Sequence, residues 1–371
     1  MPQQNRVLLL IPHLAGGGAE RVAALLAQNL CREKHELHLG LITQACVAPG
    51  AMPPWVTVHA LGASRVRAAA FTLLHLMRRL KPDVVLSGMA HLNFLVLLMR
   101  PLLARRTRVL VRQNAPVSAS LASGALPPGT RLLYRLCYRH ADRVICQTPA
   151  MAADLIAEFA IPGQRVVVLP NPVDVKTLRA ACNDVPTQWT GPGPHLLAVG
   201  RLSPEKGFDF LLSALAMVRM HFPQADLVIA GAGLEEAVLK AQCNKLGLAD
   251  AVRFVGYVER PDMYFPGATA FVLASRHEGL PNALLEAAAG GLPIVALPSS
   301  GGVAELLRGQ PGIWLARDIH SDALTASLLS ALSALRPNQR FKHAFVEQFG
   351  IENAIHAYEA LIDRVRSERA R

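Results

Sequence analysis

Short apolar runs alternate with longer amphipathic stretches along nearly the whole chain. Such runs are typical of strands that are buried on both faces of a sheet. Residues 19–30 instead repeat their apolar side chains at helical spacing, at Val22, Leu25, Leu26 and Leu30. Strands that alternate with helices predict an α/β protein with parallel sheets. The predicted strands cover residues 6–11, 38–43, 83–87, 108–112, 143–147, 165–169, 195–199, 226–230, 253–255, 270–274, 292–297 and 313–315.

The length of 371 residues is enough for two domains of ordinary size. A stretch rich in proline and glycine separates the two groups of strands. We therefore expect an N-terminal domain at residues 1–180, a linker at 181–194, a C-terminal domain at 195–345 and a tail at 346–371. Ligands of parallel sheets bind at the carboxyl ends of the strands, so the loops that follow the strands are the first places to search for a site.

The positive charge is concentrated in the first half of the chain. Residues 1–180 contain 21 Lys and Arg against 8 Asp and Glu, whereas residues 181–371 contain 17 against 19. The basic stretches 71–81, 98–108 and 131–143 also carry apolar residues, and they predict contact with an anionic membrane surface. Solvated outer faces of helices are the alternative interpretation. We expect no nucleic-acid partner, because aromatic residues make up only 5% of the chain.

Composition also bears on the cellular location. The longest uncharged apolar runs are shorter than a membrane span requires, and the N-terminus is a poor signal peptide. The six cysteines, at positions 31, 46, 137, 146, 182 and 243, have no metal-ligand spacing. We therefore expect a reduced, cytoplasmic protein without an integral anchor.

The most informative stretch is residues 274–296. A predicted strand leads into a polar turn with Glu278, and a helix follows from about Asn282 to Ala289, with Glu286 inside it. The N-terminus of such a helix suits a phosphate group. The spacing of the two carboxylates favours two separate hydrogen-bond acceptors along an extended, hydroxyl-rich ligand.

Two cations lie on another strand-to-helix turn. Arg201 and Lys206 follow the predicted strand 195–199. Fixed cations can neutralise the charge that builds up on a departing diphosphate, and so can a metal ion. The chain has no Asp-x-Asp motif, so we expect no metal and no cofactor. A surface pair with Glu205 is the structural alternative for these cations.

These motifs resemble the retaining GT-B glycosyltransferases of family 4. The resemblance rests on Glu-Gly-Leu-Pro-Asn-Ala-Leu-Leu-Glu-Ala at 278–287, Gly-Gly-Ala-Glu-Arg at 17–21 and Pro-Asn-Pro-Val-Asp at 170–174. It implies two Rossmann-like domains that face each other across a cleft, with the tail 346–371 crossing back to the first domain. It also implies that the substrate is a nucleotide-sugar donor.

The resemblance assigns roles to individual positions. Glu278 would bind the donor sugar, Glu286 the ribose, and Arg201 and Lys206 the diphosphate. Gly17 and Gly18 would approach the donor phosphates, although a tight structural turn is the alternative there. The remaining donor contacts would come from Gly231, Tyr257 and Val258 near the base, and from Gly279, Leu280, Asn282 and Leu285 within the motif.

One position departs from the family pattern. The family usually has a histidine or similar polar residue in the segment after strand 108–112, and Asn114 stands there in this chain. An asparagine can hydrogen-bond the donor sugar or the acceptor, but it cannot act as a general base. His13 and His91 follow other predicted strands, and they are the candidate substitutes.

The sequence thus predicts retaining transfer of a hexose or N-acetylhexosamine from a UDP-sugar. The acceptor would be a glycan or a polyprenol-diphosphate-linked acceptor of bacterial envelope or exopolysaccharide synthesis. The protein would lie peripherally at the inner face of the cell membrane. Two alternatives are a non-catalytic nucleotide-sugar-binding relative and a GT-B nucleotide-sugar epimerase or phosphorylase.

Overall fold

A computed structural model describes residues 4–14, 16–43, 52–124, 126–127, 129–184 and 186–368, with backbone only at 181–184. Cys46 and part of the expected linker lie outside these residues. The chain divides into two compact units, one formed by Met1–Pro172 with Ile351–Arg371 and the other by Val173–Gly350. None of the described helices combines the length and the apolar character that crossing a bilayer requires.

The first unit contains a seven-stranded sheet in which every neighbouring pair is parallel. The spatial order is β3-β2-β1-β4-β5-β6-β7. The strands are β1 (Asn5–Ile11), β2 (His35–Leu41), β3 (Val56–Ala60), β4 (Val84–Ser87), β5 (Arg108–Arg112), β6 (Arg143–Cys146) and β7 (Val166–Val168). The helices are α1 (Gly18–Asn29), α2 (Ala70–Leu80), α3 (Ala90–Met99), α4 (Val117–Ala122), α5 (Thr130–Cys137), α6 (Pro149–Phe159) and the C-terminal α13 (Ile351–Ser367).

Strand β1 shows why the apolar runs are continuous. Val7, Leu9 and Ile11 belong to an apolar cluster that also contains α1 and α13 residues. Leu8 and Leu10 belong to a second cluster, which contains residues of α2, α3, α5 and α6. Because helices cover both faces of the sheet, successive side chains of the strand are all buried.

The second unit contains a six-stranded parallel sheet in the order β10-β9-β8-β11-β12-β13. Its strands are β8 (His195–Val199), β9 (Asp226–Ala230), β10 (Val252–Gly256), β11 (Ala270–Leu273), β12 (Ile294–Ala296) and β13 (Ile313–Leu315). Its helices are α7 (Val175–Asp184), α8 (Phe208–Arg219), α9 (Glu236–Lys245), α10 (Asn282–Ala289), α11 (Val303–Leu307) and α12 (Ser321–Ala334).

Both sheets contain a point where the order of strand addition reverses. In the first sheet it lies between β1 and β4, and in the second between β8 and β11. Loops that leave two such strands at their carboxyl ends diverge and leave a crevice, which is where open α/β sheets bind ligands. The strand order therefore marks one candidate site in each unit.

The unit boundaries differ from the boundaries expected at residues 180 and 345. Residues 173–194, which include the expected linker, belong to the second unit. Val175 and Trp189 are buried in the apolar cluster that also contains α10 residues, and the Trp189 indole donates a hydrogen bond to the carbonyl of Tyr264 at 2.8 Å. The Pro/Gly content of this stretch suggested a linker, but its apolar side chains anchor it to the second unit.

Candidate functional site

The central feature of the second unit is an ion pair between the loops that follow β8 and β11. Lys206 Nζ lies 2.5 Å from Glu278 Oε1. The Ser275 hydroxyl donates a hydrogen bond to the same oxygen at 2.7 Å. The Oε2 atom of Glu278 has no hydrogen bond to any described residue, although the side chain is only 10% exposed. The carboxylate is therefore held through one oxygen, while the other remains available to a ligand.

A second set of contacts holds the two loops together. The Arg276 guanidinium binds the Asp209 carboxylate through two hydrogen bonds, of 2.8 and 2.6 Å, and lies 4.0 Å above the ring of Phe210. Gly207 has a φ of 63°, and a Cβ there would lie 2.0 Å from the carbonyl oxygen of Ala274. Only glycine permits this approach. The approach places Lys206 next to the loop that carries Glu278.

Arg201 lies in the same β8 loop but does not join the ion pair. Its side chain is exposed and makes no hydrogen bond or ion pair with a described residue. The surroundings of Glu205 in this loop lower its pKa. Burial alone would raise this pKa, but the hydrogen bond from Ser203 and the charges of Lys206 and Arg201 lower it. Lys206 thus pairs with Glu278 rather than with Glu205, and Arg201 remains free to meet an anion.

Helix α10 begins at this site. Pro281 is its N-cap rather than its first helical residue, and Asn282 is the first residue of the helix. The backbone N–H of Glu278 donates to the carbonyl of Ser300 at 3.1 Å, which ties the loop to the one that follows β12. Gly279 and Leu280 are buried between these points. The predicted helix over 282–289 is confirmed, and its positive end faces the loop that carries Glu278.

The motif residues inside α10 have different environments. The Glu286 side chain is buried, with 8% of its surface exposed, one turn into the helix. Leu285 has no exposed surface and belongs to the apolar core with Leu284. Its side chain packs within the second unit, and the expected contact of Leu285 with a ligand stays a prediction.

The residues expected near the nucleotide base follow β9 and β10. The Gly231 N–H donates to the carbonyl of Gly256 at 2.7 Å, and the Gly200 N–H donates to the carbonyl of Ala230 at 3.0 Å. These bonds hold the β8, β9 and β10 loops side by side. Tyr257 is exposed, whereas Val258 is half-buried against the core. The structure thus places these positions on the same sheet edge as Lys206, and their contact with a base stays a prediction.

In the first unit, ionisable groups gather at the crevice between β1 and β4. Gly17 is the N-cap of α1 and Gly18 its first residue. The buried carboxylate of Glu20 folds back against Gly17, and its Oε1 lies 3.7 Å from Nδ1 of His13. Sequence reasoning missed Glu20, although its place three residues after the glycine N-cap is typical of a side chain that folds back on the helix start.

His91 shares this environment. Loss of water around the ring and the charge of His13 lower the pKa of His91, while the carboxylate of Glu20 opposes this shift. His91 lies in the first turn of α3, directly after β4. The structure therefore brings both candidate histidines to one place, together with a carboxylate.

The side chain of Asn114 bonds to three neighbouring segments of the first sheet. Its side-chain amide donates to the carbonyl of Gly88 and accepts hydrogen bonds from Arg112 and from Gln147, the latter at 3.0 Å. These bonds join the ends of β4, β5 and β6. The side chain is engaged within the protein, and a direct contact with the substrate stays a prediction.

Comparisons with known proteins identify the family of the chain. Residues 185–348 match the family model for glycosyl transferases group 1, and residues 16–177 match the model for glycosyltransferase family 4. The chain is 27% identical to the lipopolysaccharide core biosynthesis glycosyltransferase LpsE of Rhizobium meliloti, over 93% of this chain and 96% of that protein. It is 26% identical to the N-acetylgalactosamine-N,N'-diacetylbacillosaminyl-diphospho-undecaprenol 4-alpha-N-acetylgalactosaminyltransferase of Campylobacter jejuni, over 80% and 82% of the two chains. Two further relatives, both uncharacterized glycosyltransferases, match over 62% and 48% of their own lengths.

A solved structure shares the whole fold. The crystal structure of Anabaena Alr3699/HepE in complex with UDP and glucose has a TM-score of 0.72 and 19% identity, and the match covers 98% of both chains. At 19% identity, the structural similarity supports the fold alone. Together with the two family models, it shows that the chain belongs to the group 1, or family 4, glycosyltransferases and has the GT-B fold.

Proposed function

We propose that the protein transfers a hexose or N-acetylhexosamine from a UDP-sugar to a glycan acceptor, with retention of the anomeric configuration. The observation that carries this proposal is the Lys206–Glu278–Ser275 arrangement at the crevice between β8 and β11. It combines a cation for a diphosphate with a buried carboxylate oxygen for sugar hydroxyls. A UDP-sugar presents both groups in sequence.

The chemistry follows from these side chains. The bond between the anomeric carbon and the β-phosphate oxygen breaks, and a bond to the acceptor oxygen forms while the acceptor loses its proton. Negative charge builds up on the departing UDP, where Lys206, Arg201 and the positive end of α10 stabilise it. The free oxygen of Glu278 accepts a hydrogen bond from a sugar hydroxyl, and Glu286 accepts one from the ribose. This mechanism uses fixed cations and requires neither a metal nor another cofactor.

The acceptor is proposed to be a polyprenol-diphosphate-linked glycan of envelope or exopolysaccharide synthesis. Two findings support this choice. The Campylobacter jejuni relative carries diphospho-undecaprenol in its name, and the Rhizobium meliloti relative acts in lipopolysaccharide core biosynthesis by its name. Both match this chain over four fifths of its length or more.

We also propose a peripheral contact with the anionic inner face of the cell membrane. The first unit contains 23 Lys and Arg against 11 Asp and Glu, whereas the second contains 15 against 16. Helix α5 exposes Leu132, Leu133 and Leu136 next to Arg135. Basic residues near an anionic surface contribute about 1 kcal/mol each. Co-sedimentation with vesicles that contain phosphatidylglycerol, but not with pure phosphatidylcholine vesicles, is the expected result.

The test of the transferase is a panel of UDP- and GDP-sugars incubated with polyprenol-diphosphate-linked glycans. The expected result is transfer from one UDP-sugar, with an α-linked product from an α-linked donor in the NMR spectrum. Inversion at the anomeric carbon would contradict the proposed retention.

A non-catalytic role is the second candidate, and the environment of Asn114 favours it, because that side chain is already bonded to Gly88, Arg112 and Gln147. Such a protein would bind UDP-sugars without turnover. UDP binding with no transfer to any acceptor in a crude lipid extract would support this candidate and contradict the transferase.

A further inference from the structure

A pocket that has no part in the proposed transfer lies between the edge strand β3 and helix α2. Its volume is about 480 Å³. Polar and apolar groups line it together: the imidazoles of His59 and His75, the guanidinium of Arg79, and the apolar side chains of Phe71, Leu61 and Leu76. The Phe71 side chain is 88% exposed, although burial of a phenyl ring normally lowers the free energy of a protein. A ligand for this pocket would need an anionic group joined to an apolar part.

A chain of hydrogen bonds leads from Arg6 to the imidazole of His59. Arg6 Nε lies 2.9 Å from Glu36 Oε2, Glu36 Oε1 lies 3.0 Å from His38 Nε2, and His38 Nδ1 lies 3.0 Å from His59 Nε2. The Arg6 and Glu36 side chains are 37% and 42% exposed, whereas His38 is buried, so the chain runs from the surface at β1 and β2 through His38 to β3.

The direction of these hydrogen bonds sets the state of His59. An ionised carboxylate only accepts hydrogen bonds, so His38 must donate from Nε2 to Glu36. Neutral His38 then accepts at Nδ1 from the Nε2–H of His59. The Nδ1 atom of His59 has no bond to a described residue. It is an acceptor in neutral His59 and becomes a donor when His59 is protonated.

The neighbouring charges resist that protonation in the empty pocket. Burial lowers the pKa of His59, and so do the charge of Arg79 and the charge that His38 carries whenever it is protonated. His75 is the remaining ionisable group of the pocket lining. An anion beside Arg79 would offset these positive charges and favour protonated His59. By linkage, such an anion would bind more tightly as the pH falls through the pKa of His59 in the complex.

We propose that this pocket binds the phosphate of an anionic membrane lipid, with the phosphate between Arg79 and His59 and the apolar part of the lipid against Phe71. The proposal rests on the proposed membrane contact, and it does not depend on glycosyl transfer. It adds a discrete, saturable site to what would otherwise be a general attraction between a basic surface and an anionic bilayer.

The test uses lipids that are soluble as monomers. Binding of dihexanoyl phosphatidylglycerol, dihexanoyl phosphatidylcholine and inorganic phosphate is measured by isothermal titration calorimetry at pH 6 and pH 8. A phosphodiester keeps its single charge over this range, so any pH dependence reports on the protein. We expect binding of phosphatidylglycerol that is stronger at pH 6. We expect weaker binding of phosphatidylcholine, because its phosphate is the same but Arg79 and protonated His59 would repel its choline cation. Inorganic phosphate that binds as tightly as the lipid would overturn the assignment to a lipid.

Adjacent arginines on α2 supply a matched control. Arg79 lines the pocket, whereas Arg78 does not and instead approaches the carbonyl of Leu102. Arg79→Gln should weaken lipid binding about tenfold, and Arg78→Gln, with the same change of charge, should change it less than about twofold. His59→Gln should remove the pH dependence, and His75→Gln should preserve it.

Two outcomes would overturn the inference and leave other proposals intact. Equal losses from Arg79→Gln and Arg78→Gln, with normal binding to anionic vesicles, would mean general surface attraction without a pocket. An unchanged pH dependence in His59→Gln would remove His59 from the site. Conversely, binding of the monomeric lipid without binding to vesicles would support the pocket and contradict the proposed membrane contact.

Discussion

The ion pair of Lys206 and Glu278 permits a test that separates two roles inside one contact. The informative substitutions are Lys206→Met, Glu278→Gln and the double variant. If Lys206 binds the diphosphate and Glu278 the sugar, the two single variants should differ in which part of the donor they lose. Lys206→Met should weaken the binding of UDP and of the UDP-sugar equally. Glu278→Gln should preserve the binding of UDP but lose the additional stabilisation that the sugar provides.

The expected loss of UDP affinity follows from the charge-assisted contact between Lys206 and the diphosphate. A hydrogen bond to a charged group contributes about 1.5–3 kcal/mol, so loss of Lys206 should weaken UDP binding at least about tenfold. UDP at a hundred times its Kd stabilises the folded protein by about 2.7 kcal/mol, and a tenfold weaker complex retains about 1.4 kcal/mol. For a unit of this size, the lost stabilisation corresponds to a difference in Tm of about 3–5 °C.

The expected loss of stability in the unliganded protein follows from the burial of the ion pair. The side chains of Lys206 and Glu278 are 23% and 10% exposed, so the pair is mostly but not wholly removed from water. Breaking a buried pair costs about 3–5 kcal/mol, and the residual exposure places the cost of Lys206→Met near the lower end. The double variant should recover part of this loss, because no unpaired charge remains.

The assay is thermal unfolding of the four proteins alone, with UDP, and with the UDP-sugar that stabilises the wild type most. A shared loss of UDP stabilisation in both single variants would refute the division of roles. A purely structural ion pair would instead show normal ligand shifts in all variants, together with recovered stability in the double variant.

Three further predictions concern the surroundings of the sites. Ser275→Ala should leave UDP binding unchanged and reduce the additional stabilisation from the sugar, because Oε1 of Glu278 loses one of its two bonds; an unchanged sugar increment in thermal unfolding would contradict this. Gly207→Ala should destabilise the protein in urea by about 1–3 kcal/mol more than Gly247→Ala, since both glycines have positive φ but only the first has a carbonyl within 2.0 Å of the new Cβ. Equal costs would show that this clash relaxes. Burial would raise the pKa of Glu359, but bonds from the Cys31 N–H and Lys34 lower it, so its contribution to stability is present above the ordinary pKa near 4.5 and is lost as the pH falls. Glu359→Gln should therefore flatten the acid decline of Tm, and an unchanged decline would contradict this.

Local sequence patterns determined most of the secondary structure and the chemistry of the candidate site. All twelve predicted strands are present, because a strand buried on both faces must be apolar along its length. Strand β3 was missed since it lies at the sheet edge, where Thr57 and Val58 are exposed and the apolar run is interrupted. The motif residues Glu278, Arg201 and Lys206 were found because their types and their places after strands identify them without knowledge of the fold.

Tertiary structure alone decided which of these residues meet. Lys206 and Glu278 are 72 positions apart, and they touch because β8 and β11 are neighbours in the sheet. Strand order depends on how helices pack across a whole sheet, and no local pattern encodes it. The same reason explains why Ser275, Arg276 and Glu20 emerged only from the structure. Arg276 meets Asp209 in another element, whereas Ser275 and Glu20 make contacts within their own turn and helix start. Only the fold shows that these contacts border a crevice.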